Sequence, residues 1–326
     1  MKVLITGAGG RVGSMLTRYL QAEGHSVRGF DMVKPSPNIL DEMVVGNLLD
    51  AEAINRALDG VDGVIHLAAL MSWHPKDTNK LFEVNVTGTY NLLQATRQYN
   101  LKRFVFASSG EVYPELNPAY LPIDEAHPTL PTSPYGMTKL LSEEMVKNFG
   151  EQTGLPFCIV RFSHTQAAPE LFDPNSFFSG PRFYVTAKLR QLQSFPQSPA
   201  VEKSIAALET VATETEQHYI GCNPDGQPYR MAICDVRDMI QGVTLALTHD
   251  NAVGEIFNIG PAASFDFDEA VNYLAGVTGL PVSKVKLHTA SYRYDTSIEK
   301  AVHLLGFSPR YSIFDMIDDV APAKTN

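Results

Sequence analysis

A tyrosine and a lysine four residues apart form the pair whose types and spacing point most directly to chemistry. On a helix, Tyr135 and Lys139 lie on one face, one turn apart. A free phenol has a pKa of about 10, which is too high for a base at neutral pH, but a neighbouring ammonium stabilises the phenolate and lowers that pKa. Tyr135 could therefore remove or return a hydroxyl proton while a hydride leaves or reaches the same carbon.

A second polar motif follows the apolar run Phe104–Ala107, which predicts a buried strand. Ser108 and Ser109 come directly after this run, and Glu111 comes two residues later. A serine here could hydrogen-bond the reacting oxygen, and the alternative is that both serines make turn or cap hydrogen bonds. Because open α/β sheets bind ligands at the carboxyl ends of their strands, we expect this motif beside Tyr135.

A glycine pattern runs from Thr6 to Gly13, between the first predicted strand and the first predicted helix. Gly7, Gly10 and Gly13 allow a tight turn and a close approach to a pyrophosphate, which the helix N-terminus would bind. This context predicts a dinucleotide site, and a nicotinamide cofactor would accept or return the hydride. His66 is interpreted as a core histidine rather than a catalyst. The other residues predicted to contact the cofactor are Arg11, Val12, Asn47, Leu48, Leu67, Ala68, Ala69, Ala107 and Ser108, together with Tyr135 and Lys139.

An aspartate decides which nicotinamide cofactor the pattern favours. Asp31 ends the second predicted strand, 18 residues after Gly13. A carboxylate at this position accepts hydrogen bonds from the ribose hydroxyls and repels a 2′-phosphate. Arg11 and Arg28 could weaken that repulsion, and an ordinary turn aspartate is the alternative. The pattern favours NAD over NADP.

Short apolar runs alternate with amphipathic stretches through the first half of the chain, which predicts an α/β fold with a doubly wound parallel Rossmann sheet. The pattern loosens after Phe162, and residues 167–184 have the Pro, Phe and Gly content typical of a loop or lid. We predict an NAD-binding domain over residues 1–165 and a smaller, mainly substrate-binding part over residues 166–326, with late elements returning to the sheet. Strands are predicted near residues 2–6, 26–30, 44–46, 64–67, 104–107, 157–160 and 254–259, and helices over residues 12–23, 51–58, 82–99, 134–153, 183–193, 200–217, 267–276 and 298–305.

Composition and charge exclude several classes of partner. The 326 residues carry a formal net charge of −10 and are 44% hydrophobic, as in ordinary globular proteins. Nucleic acid or an anionic membrane is therefore not expected as a partner, because phosphate binding needs clustered Lys and Arg. Cys158, Cys222 and Cys234 lack metal-site spacing, so we expect buried thiols and no metal. No signal peptide or transmembrane run is recognised, and a cytoplasmic protein is expected.

The motifs that together resemble a known family are Thr6 to Gly13, Asp31, His66 to Ala69, Asn85 to Thr89, Ser108 to Tyr113, Tyr135 to Lys139, Arg161 and Leu305 to Pro309. The chain resembles the extended short-chain dehydrogenase/reductases, which include the nucleotide-sugar epimerases, dehydratases and decarboxylases. The resemblance covers nearly the whole chain. It implies that Ser109, Tyr135 and Lys139 form the catalytic triad, and that Asn85 is a structural polar residue beneath the site.

The resemblance also implies a homodimer, built from the two long helices around residues 82–99 and 135–153. It further implies that Glu111 works as a base or orients the substrate, as in the sugar-nucleotide dehydratases and decarboxylases. The alternative for Glu111 is a solvated or lysine-paired carboxylate. Gly110 stands where the dehydratases have an aspartic acid, so a complete dehydratase mechanism is not expected.

The substrate side departs from the family pattern. His164 stands near the position that usually packs against substrate, and it could donate to a substrate oxygen or phosphate. Arg182 and Arg230 are candidates for a substrate phosphate, although Arg230 is displaced by one residue from the family's register. Ser109 and Glu111 complete the predicted substrate contacts.

The expected function is that of an NAD-dependent epimerase/dehydratase-type oxidoreductase acting on a sugar or sugar nucleotide by hydride transfer at a carbinol carbon. The alternative is a simple NAD-dependent dehydrogenase or reductase of a non-nucleotide hydroxy or carbonyl compound. A cofactor-sensing regulator without chemistry is disfavoured, because such a protein has no need of Ser109, Tyr135 and Lys139.

Overall fold

The computed structural model describes residues 1–35, 39–289 and 291–321. Its centre is a seven-stranded sheet in which every neighbouring pair is parallel. The strands are β1 (Lys2–Thr6), β2 (Ser26–Asp31), β3 (Glu42–Val45), β4 (Gly63–His66), β5 (Arg103–Ser109), β6 (Phe157–Phe162), β7 (His164–Gln166), β8 (His218–Cys222), β9 (Arg230–Met231), β10 (Ile233–Asp235), β11 (Glu255–Ile259), β12 (Phe265–Asp266) and β13 (Val282–Lys286).

The order of the large sheet is β11-β6-β5-β4-β1-β2-β3, with the direction of winding reversing at β1. This order defines a doubly wound Rossmann sheet and opens a crevice where β1 and β4 end side by side, at Thr6 and His66. The late strand β11 pairs with β6, as the sequence predicts. The other described strands form three two-stranded sheets, β10-β7, β12-β9 and β13-β8.

Helices cover both faces of the large sheet. They are α1 (Arg11–Ala22), α2 (Ala51–Leu58), α3 (Thr78–Leu81), α4 (Gly88–Thr96), α5 (Pro134–Thr153), α6 (Gly180–Phe183), α7 (Val185–Ser194), α8 (Pro199–Glu209), α9 (Val236–Thr248), α10 (Phe267–Thr278), α11 (Glu299–Leu305) and α12 (Ile313–Asp318). A π-helical segment, Phe82–Thr87, joins α3 to α4. In the described ranges, no helix is long and apolar enough to cross a membrane.

Strand β1 shows why a parallel sheet needs apolar residues at every position. Val3 and Ile5 pack on one face with α1, α9 and α11, whereas Leu4 packs on the opposite face with α2, α4 and α5. Both faces are buried, so the run is apolar rather than alternating. A third apolar cluster, drawn from residues 112–317, holds the elements beyond the sheet together.

Several elements differ from the sequence prediction. The helix predicted over 200–217 ends at Glu209, and the predicted loop over 167–184 contains a 3-10 helix, Ala168–Phe172, as well as α6. Strand β8 and helix α9 were not predicted. In α9, Gly242 resembles a helix breaker, but a methyl group there would lie 2.6 Å from the Ile259 side chain. The glycine allows close helix–sheet packing.

A buried ion pair ties α5 to the sheet. The Arg161 guanidinium donates two hydrogen bonds to Glu143, at 2.9 and 2.7 Å, and both side chains are almost fully buried. Ser108 donates to the same carboxylate, and Arg161 also donates to the Tyr113 hydroxyl. That hydroxyl donates in turn to Asn258. The network joins β5, β6, α5 and β11 directly beneath the predicted catalytic residues.

We expect Arg161→Met to lower the free energy of unfolding by about 3–5 kcal/mol, because the change leaves the Glu143 carboxylate buried without its partner. The measurement is urea denaturation followed by circular dichroism. Lys147→Met is the matched control, since its partner Glu144 is exposed and an exposed pair contributes about 1 kcal/mol or less. Equal losses in both variants would contradict a structural role for the buried pair.

Candidate active site

The turn after β1 has no room for side chains. Gly7 has a φ of +74°, and a methyl group on it would lie 2.8 Å from the Ala68 backbone nitrogen. A methyl group on Gly13 would lie 2.3 Å from the Gly7 carbonyl oxygen. The first helical hydrogen bond of α1 runs from Ser14 to Gly10. The N–H groups of Arg11 and Val12, in the first turn of this helix, can bind an anion at its N-terminus, so the turn fits a dinucleotide pyrophosphate.

Asp31 is held at the end of β2 and faces the glycine turn. Its Oδ2 accepts a hydrogen bond from the Gly9 backbone N–H at 2.9 Å. Asn47 and Leu48 lie further along the same sheet edge. The Asn47 side chain accepts a hydrogen bond from the Leu49 N–H within its own turn. Leu48 is buried and lies against Gly88, the first residue of α4. Asp31, Asn47 and Leu48 do not line the cavities described below.

Arg11 turns away from the glycine loop toward a later part of the chain. Its guanidinium donates to the Thr165 carbonyl oxygen and forms a salt bridge with Glu170 at 2.9 Å. It also lies 4.6 Å above the centre of the Phe178 ring. Arg11 therefore connects the glycine loop with residues 165–178.

Helix α5 presents the predicted catalytic pair. Its N-cap is Ser133, whose hydroxyl accepts from the Gly136 N–H at 2.9 Å. One turn into the helix, the Lys139 ammonium donates to the Ala107 carbonyl oxygen at 2.7 Å and lies 5.8 Å from the centre of the Tyr135 ring. The pair thus meets the end of β5, as its spacing predicts.

The environment of Tyr135 holds its side chain as a phenol. Burial raises the pKa of Tyr135, and the Glu111 carboxylate raises it further. Burial lowers the pKa of Lys139 to about 8, against the attraction of Glu143. Lys139 is therefore mostly an ammonium at neutral pH. Forming the phenolate needs more positive charge than Lys139 supplies, and an oxidised nicotinamide would provide that charge.

Two buried polar residues beneath the pair are structural. His66 is hydrogen-bonded to Thr6 at 2.6 Å and to Thr89 at 3.0 Å, and burial lowers its pKa to about 3. It is a neutral core histidine, as the sequence analysis interpreted it. The Asn85 amide bonds both backbone groups of Leu70 and the Thr138 hydroxyl, which fixes the strand end against α5.

The Glu111 carboxylate lines the same cavity as Tyr135 and Lys139 and accepts hydrogen bonds from two side chains. The Trp73 indole donates to its carboxylate at 3.0 Å and the Ser133 hydroxyl at 2.5 Å. Burial raises the pKa of Glu111, and these two hydrogen bonds oppose the rise. The Glu111 side chain is half-buried, and no lysine pairs with it in the described part of the chain. Ser109 accepts from the Glu111 N–H at 3.2 Å.

A second carboxylate, Glu115, was missed by the sequence analysis. It occupies the space left by the side chain that Gly110 lacks, since a methyl group on Gly110 would lie 2.9 Å from Glu115 Oε1. Burial, together with the charge of Glu111, raises the pKa of Glu115 to about 8. The only hint in the sequence was the glycine itself. The 3-10 turn at Gly110–Val112 brings the two glutamates together, and the spacing alone does not show this.

His164 and Arg182 contact each other. An Arg182 terminal nitrogen donates to His164 Nδ1 at 2.8 Å, and the other donates to the Phe178 carbonyl oxygen at 3.2 Å. Burial, and then the charge of Arg182, lowers the pKa of His164, so the ring is neutral. Because an arginine can only donate, Nδ1 is the acceptor and Nε2 carries the proton. Nε2 is buried without a hydrogen-bond partner in the described part of the chain, 3.8 Å from Glu115.

Arg230 lies apart from these residues. Its guanidinium is held between Asp266 and Asp295, each at 2.9 Å. It lines neither of the cavities that contain Tyr135, Glu111 or Arg182. The sequence analysis predicted that Arg230 contacts the substrate. In the structure it lines neither cavity, and two carboxylates distant in sequence neutralise its charge.

Two adjoining cavities are lined by most of the residues that the sequence predicts for the site. The first cavity, of about 230 Å³, joins the glycine turn to the catalytic pair. The second cavity, of about 280 Å³, extends from it toward α7, and both contain Trp73, Glu111, Glu115, His164 and Phe178. Predicted residues in the wall of the first cavity are Gly7, Gly10, Arg11, Val12, Gly13, Leu67, Ala69, Ala107, Ser108, Ser109, Glu111, Tyr135, Lys139 and His164. Arg182 lines the second cavity.

Comparison with solved structures gives the class of protein. A short-chain dehydrogenase/reductase superfamily protein from Agrobacterium tumefaciens, solved with bound NAD, superposes with a TM-score of 0.92. It is 42% identical and the match covers 98% of this chain and 96% of that one. A UDP-glucuronic acid 4-epimerase from Bacillus cereus, solved with UDP-glucuronic acid and NAD, has the same fold, with a TM-score of 0.75 at 24% identity over 98% and 97% of the chains.

Sequence comparison then gives the family. The NAD dependent epimerase/dehydratase family model matches residues 3–260, and the chain belongs to this family. A UDP-glucose 4-epimerase from Halalkalibacterium halodurans is 28% identical over 95% of this chain and 91% of its own length. A uronate dehydrogenase from Pseudomonas syringae pv. tomato is also 28% identical, over 52% of this chain and 61% of its own. The resemblance stated from the motifs is confirmed.

Ionisation of Glu115 should make stability depend on pH. The folded protein keeps this proton up to about pH 8, whereas an unfolded glutamate loses it at about pH 4.3. Between these values the unfolded state binds fewer protons, so stability falls as pH rises, by at most about 1.4 kcal/mol per pH unit. Glu115→Gln removes this loss, and its free energy of unfolding relative to the unchanged protein should rise from pH 5 to pH 8.

Chemical denaturation at several pH values measures this difference. Glu144→Gln is the control, because that carboxylate on α5 is exposed and should show no such trend. A difference for Glu115→Gln that stays constant between pH 5 and pH 8 would show that Glu115 is already ionised in the folded protein.

Proposed function

We propose that the protein transfers a hydride between NAD and a carbinol carbon of a sugar or sugar derivative, with Tyr135 as the proton-transferring group. The observation that carries this proposal is the meeting of three parts in the first cavity. The glycine turn, the end of β5 with Ser109, and the Tyr135–Lys139 face of α5 all line the same space. Family membership supports the same chemistry.

The residues present fit NAD without modification. Gly7, Gly10 and Gly13, with the N–H groups of Arg11 and Val12, would hold the pyrophosphate at the start of α1. Asp31 accepts from the Gly9 N–H through Oδ2 and from the Val33 N–H, at 3.4 Å, through Oδ1, and the remaining lone pairs of its carboxylate would accept from the ribose hydroxyls. Asn47, Leu48, Leu67, Ala68, Ala69, Ala107 and Ser108 would form the wall along the strand ends. The Agrobacterium tumefaciens relative was solved with NAD.

The chain's own groups divide the work at the reacting carbon. Tyr135 would take the hydroxyl proton during oxidation and return it during reduction. Ser109, half-buried beside it, would hydrogen-bond the same oxygen and hold it in position. Lys139 would keep positive charge beneath the phenol and hold the nicotinamide ribose. Bound NAD supplies the hydride acceptor and a positive charge when oxidised.

The relatives support an epimerase-type reaction first. In such a reaction the hydride returns to the opposite face of the ketone and NAD is regenerated on the enzyme. The position of Arg230 favours the second candidate, a dehydrogenase acting on a non-nucleotide hydroxy compound. With Arg230 held by Asp266 and Asp295, the cation that the sequence placed near a diphosphate is not available to it.

We also propose that the protein forms a homodimer through α4 and α5. Large apolar side chains stay exposed on this pair of packed helices, which contact each other in the monomer. Phe82 and Tyr90 lie on the π-helix and α4, and Met137 and Leu141 lie one turn apart on α5. Large apolar side chains exposed on neighbouring helices are typical of an interface.

Tyr135→Phe should reduce turnover by about 10²- to 10⁴-fold, because it removes the proton-transferring hydroxyl. NAD binding, measured by titration calorimetry, should change little. Tyr273→Phe is the control, since that hydroxyl is exposed and bonds only Asp318 among the described residues. Full activity in Tyr135→Phe would contradict the assignment.

NADH absorbance separates the two candidate reactions. An epimerase converts its substrate with no net NADH, whereas a dehydrogenase releases NADH in proportion to the substrate consumed. Each assay should measure both the conversion of the sugar and the formation of NADH. Sustained NADH release would rule out a simple epimerase cycle.

Leu141→Glu should convert a dimer to a monomer, because it places a charge in the centre of the exposed apolar patch. Light scattering after size-exclusion chromatography measures the mass. Leu304→Glu makes the same change at an exposed leucine on α11 and should leave the mass unaltered. A monomeric parent protein, or a dimer that survives Leu141→Glu, would contradict this interface.

A further inference from the structure

Two cations line the second cavity without a carboxylate partner among the described residues. Arg182 reaches it from α6, and Lys188 reaches it from α7. The Arg182 guanidinium bonds only His164 and the Phe178 carbonyl, and the Lys188 ammonium donates to the Gln191 amide oxygen at 2.8 Å. Their charges repel each other, and burial lowers the pKa of Lys188 to about 8. The cavity therefore holds positive charge that nothing on the chain pairs with directly.

The other buried or half-buried arginines show how unusual this is. Arg161 has Glu143, and Arg11 has Glu170. Arg103 also lacks a carboxylate, but it caps the C-terminal carbonyl oxygens of α9 at Ala246 and His249, where a cation is stabilised by the helix dipole. Arg182 contacts neither a carboxylate nor a helix C-terminus among the described residues, and the charges of Glu111 and Glu115 act on it only from a distance. A cation kept out of water without a partner is costly, and proteins keep such groups where a ligand supplies the counter-charge.

A third donor faces the same space. The Nε2–H of His164 is buried without an acceptor in the described ranges, because its distance of 3.8 Å to Glu115 is too long for a hydrogen bond. Arg182 also retains three of its five N–H donors. The wall of the second cavity therefore offers an unfilled set of donors from Arg182, Lys188 and His164. An acceptor with negative charge satisfies all three.

We propose that Arg182 and Lys188 bind a carboxylate of the substrate, which makes the substrate a sugar acid rather than a neutral sugar or a sugar nucleotide. This inference rests on the proposed hydride transfer at Tyr135. The hydroxyl groups of the same molecule would donate to the Glu111 carboxylate, and they could donate to or accept from the protonated carboxyl of Glu115. The acid and the reacting carbinol would then lie in the two adjoining cavities.

The charges in the cavity favour a carboxylate over a diphosphate. Glu111 lines the same cavity as Arg182, and its carboxylate would repel a group with two negative charges more strongly than a group with one. A planar monoanion matches the guanidinium fork and can be held by two parallel hydrogen bonds.

Matched ligand pairs test this proposal. The NAD-loaded enzyme is titrated with D-glucuronate and D-galacturonate, with their neutral counterparts D-glucose and D-galactose, and with glucose 6-phosphate and UDP-glucose. Thermal shift reports binding, and NADH formation reports turnover. We expect stabilisation by at least one uronate and none by its neutral counterpart at the same concentration.

Charge-removing variants identify the residues. Arg182→Met and Lys188→Met should each weaken binding of the stabilising uronate roughly 10- to 100-fold, the range for a charged hydrogen bond. Both should leave NAD affinity unchanged. Arg190→Met removes a positive charge from the exposed face of α7 and should leave uronate affinity unchanged.

These measurements distinguish a failure of the proposed carboxylate site from a failure of the proposed hydride transfer. Uronate binding that Arg182→Met weakens, without NADH formation or sugar conversion, supports the carboxylate site and counts against the hydride reaction. Turnover of a neutral sugar or UDP-glucose with no uronate binding overturns the carboxylate site and leaves the hydride reaction standing. Absence of any shift with both uronates, or a shift that Arg182→Met and Lys188→Met do not weaken, also overturns it.

Discussion

The bidentate ion pair between Arg161 and Glu143 holds in place the elements that carry Tyr135 and Lys139. It fixes α5 against β6, and α5 carries Tyr135 and Lys139. Through Ser108 it also fixes the end of β5, where Ala107 receives the Lys139 ammonium. A buried pair of this kind is costly to desolvate, so it stabilises the protein only while both partners are present. Its role here is positional, because it holds α5 against β6 at the end of the strand that lies nearest to the catalytic residues.

On the substrate side of the site, the absence of a side chain at Gly110 makes room for the side chain of Glu115. Gly110 gives up a side chain in the turn after β5, and Glu115 fills the vacated volume from five residues downstream. A carboxylate is thereby kept in the cavity but approaches from a different direction. Glu115 thereby lines the second cavity together with Arg182 and His164, 3.8 Å from His164 Nε2.

Local patterns predicted the parts of the site that depend on local geometry. The spacing of Tyr135 and Lys139 requires only a helix, and the glycines from Gly7 to Gly13 require only a strand followed by a helix. Both predictions of placement agree with the structure. The pairing of Arg230 with Asp266 of β12 and with Asp295 joins residues distant in sequence, and no short-range pattern reveals it. Glu115 was missed for a different reason, because its position depends on a 3-10 turn and on the absence of one side chain.

Trp73 is the one tryptophan in the sequence, and it stands at the junction of the two cavities. Its indole donates to Glu111 and stacks on Phe177 at a centroid distance of 5.5 Å. The intrinsic fluorescence of the chain under tryptophan-selective excitation therefore originates from a single place, next to the reacting groups. The protein carries a built-in optical reporter of this site, and its emission needs no label and no deconvolution from other indoles.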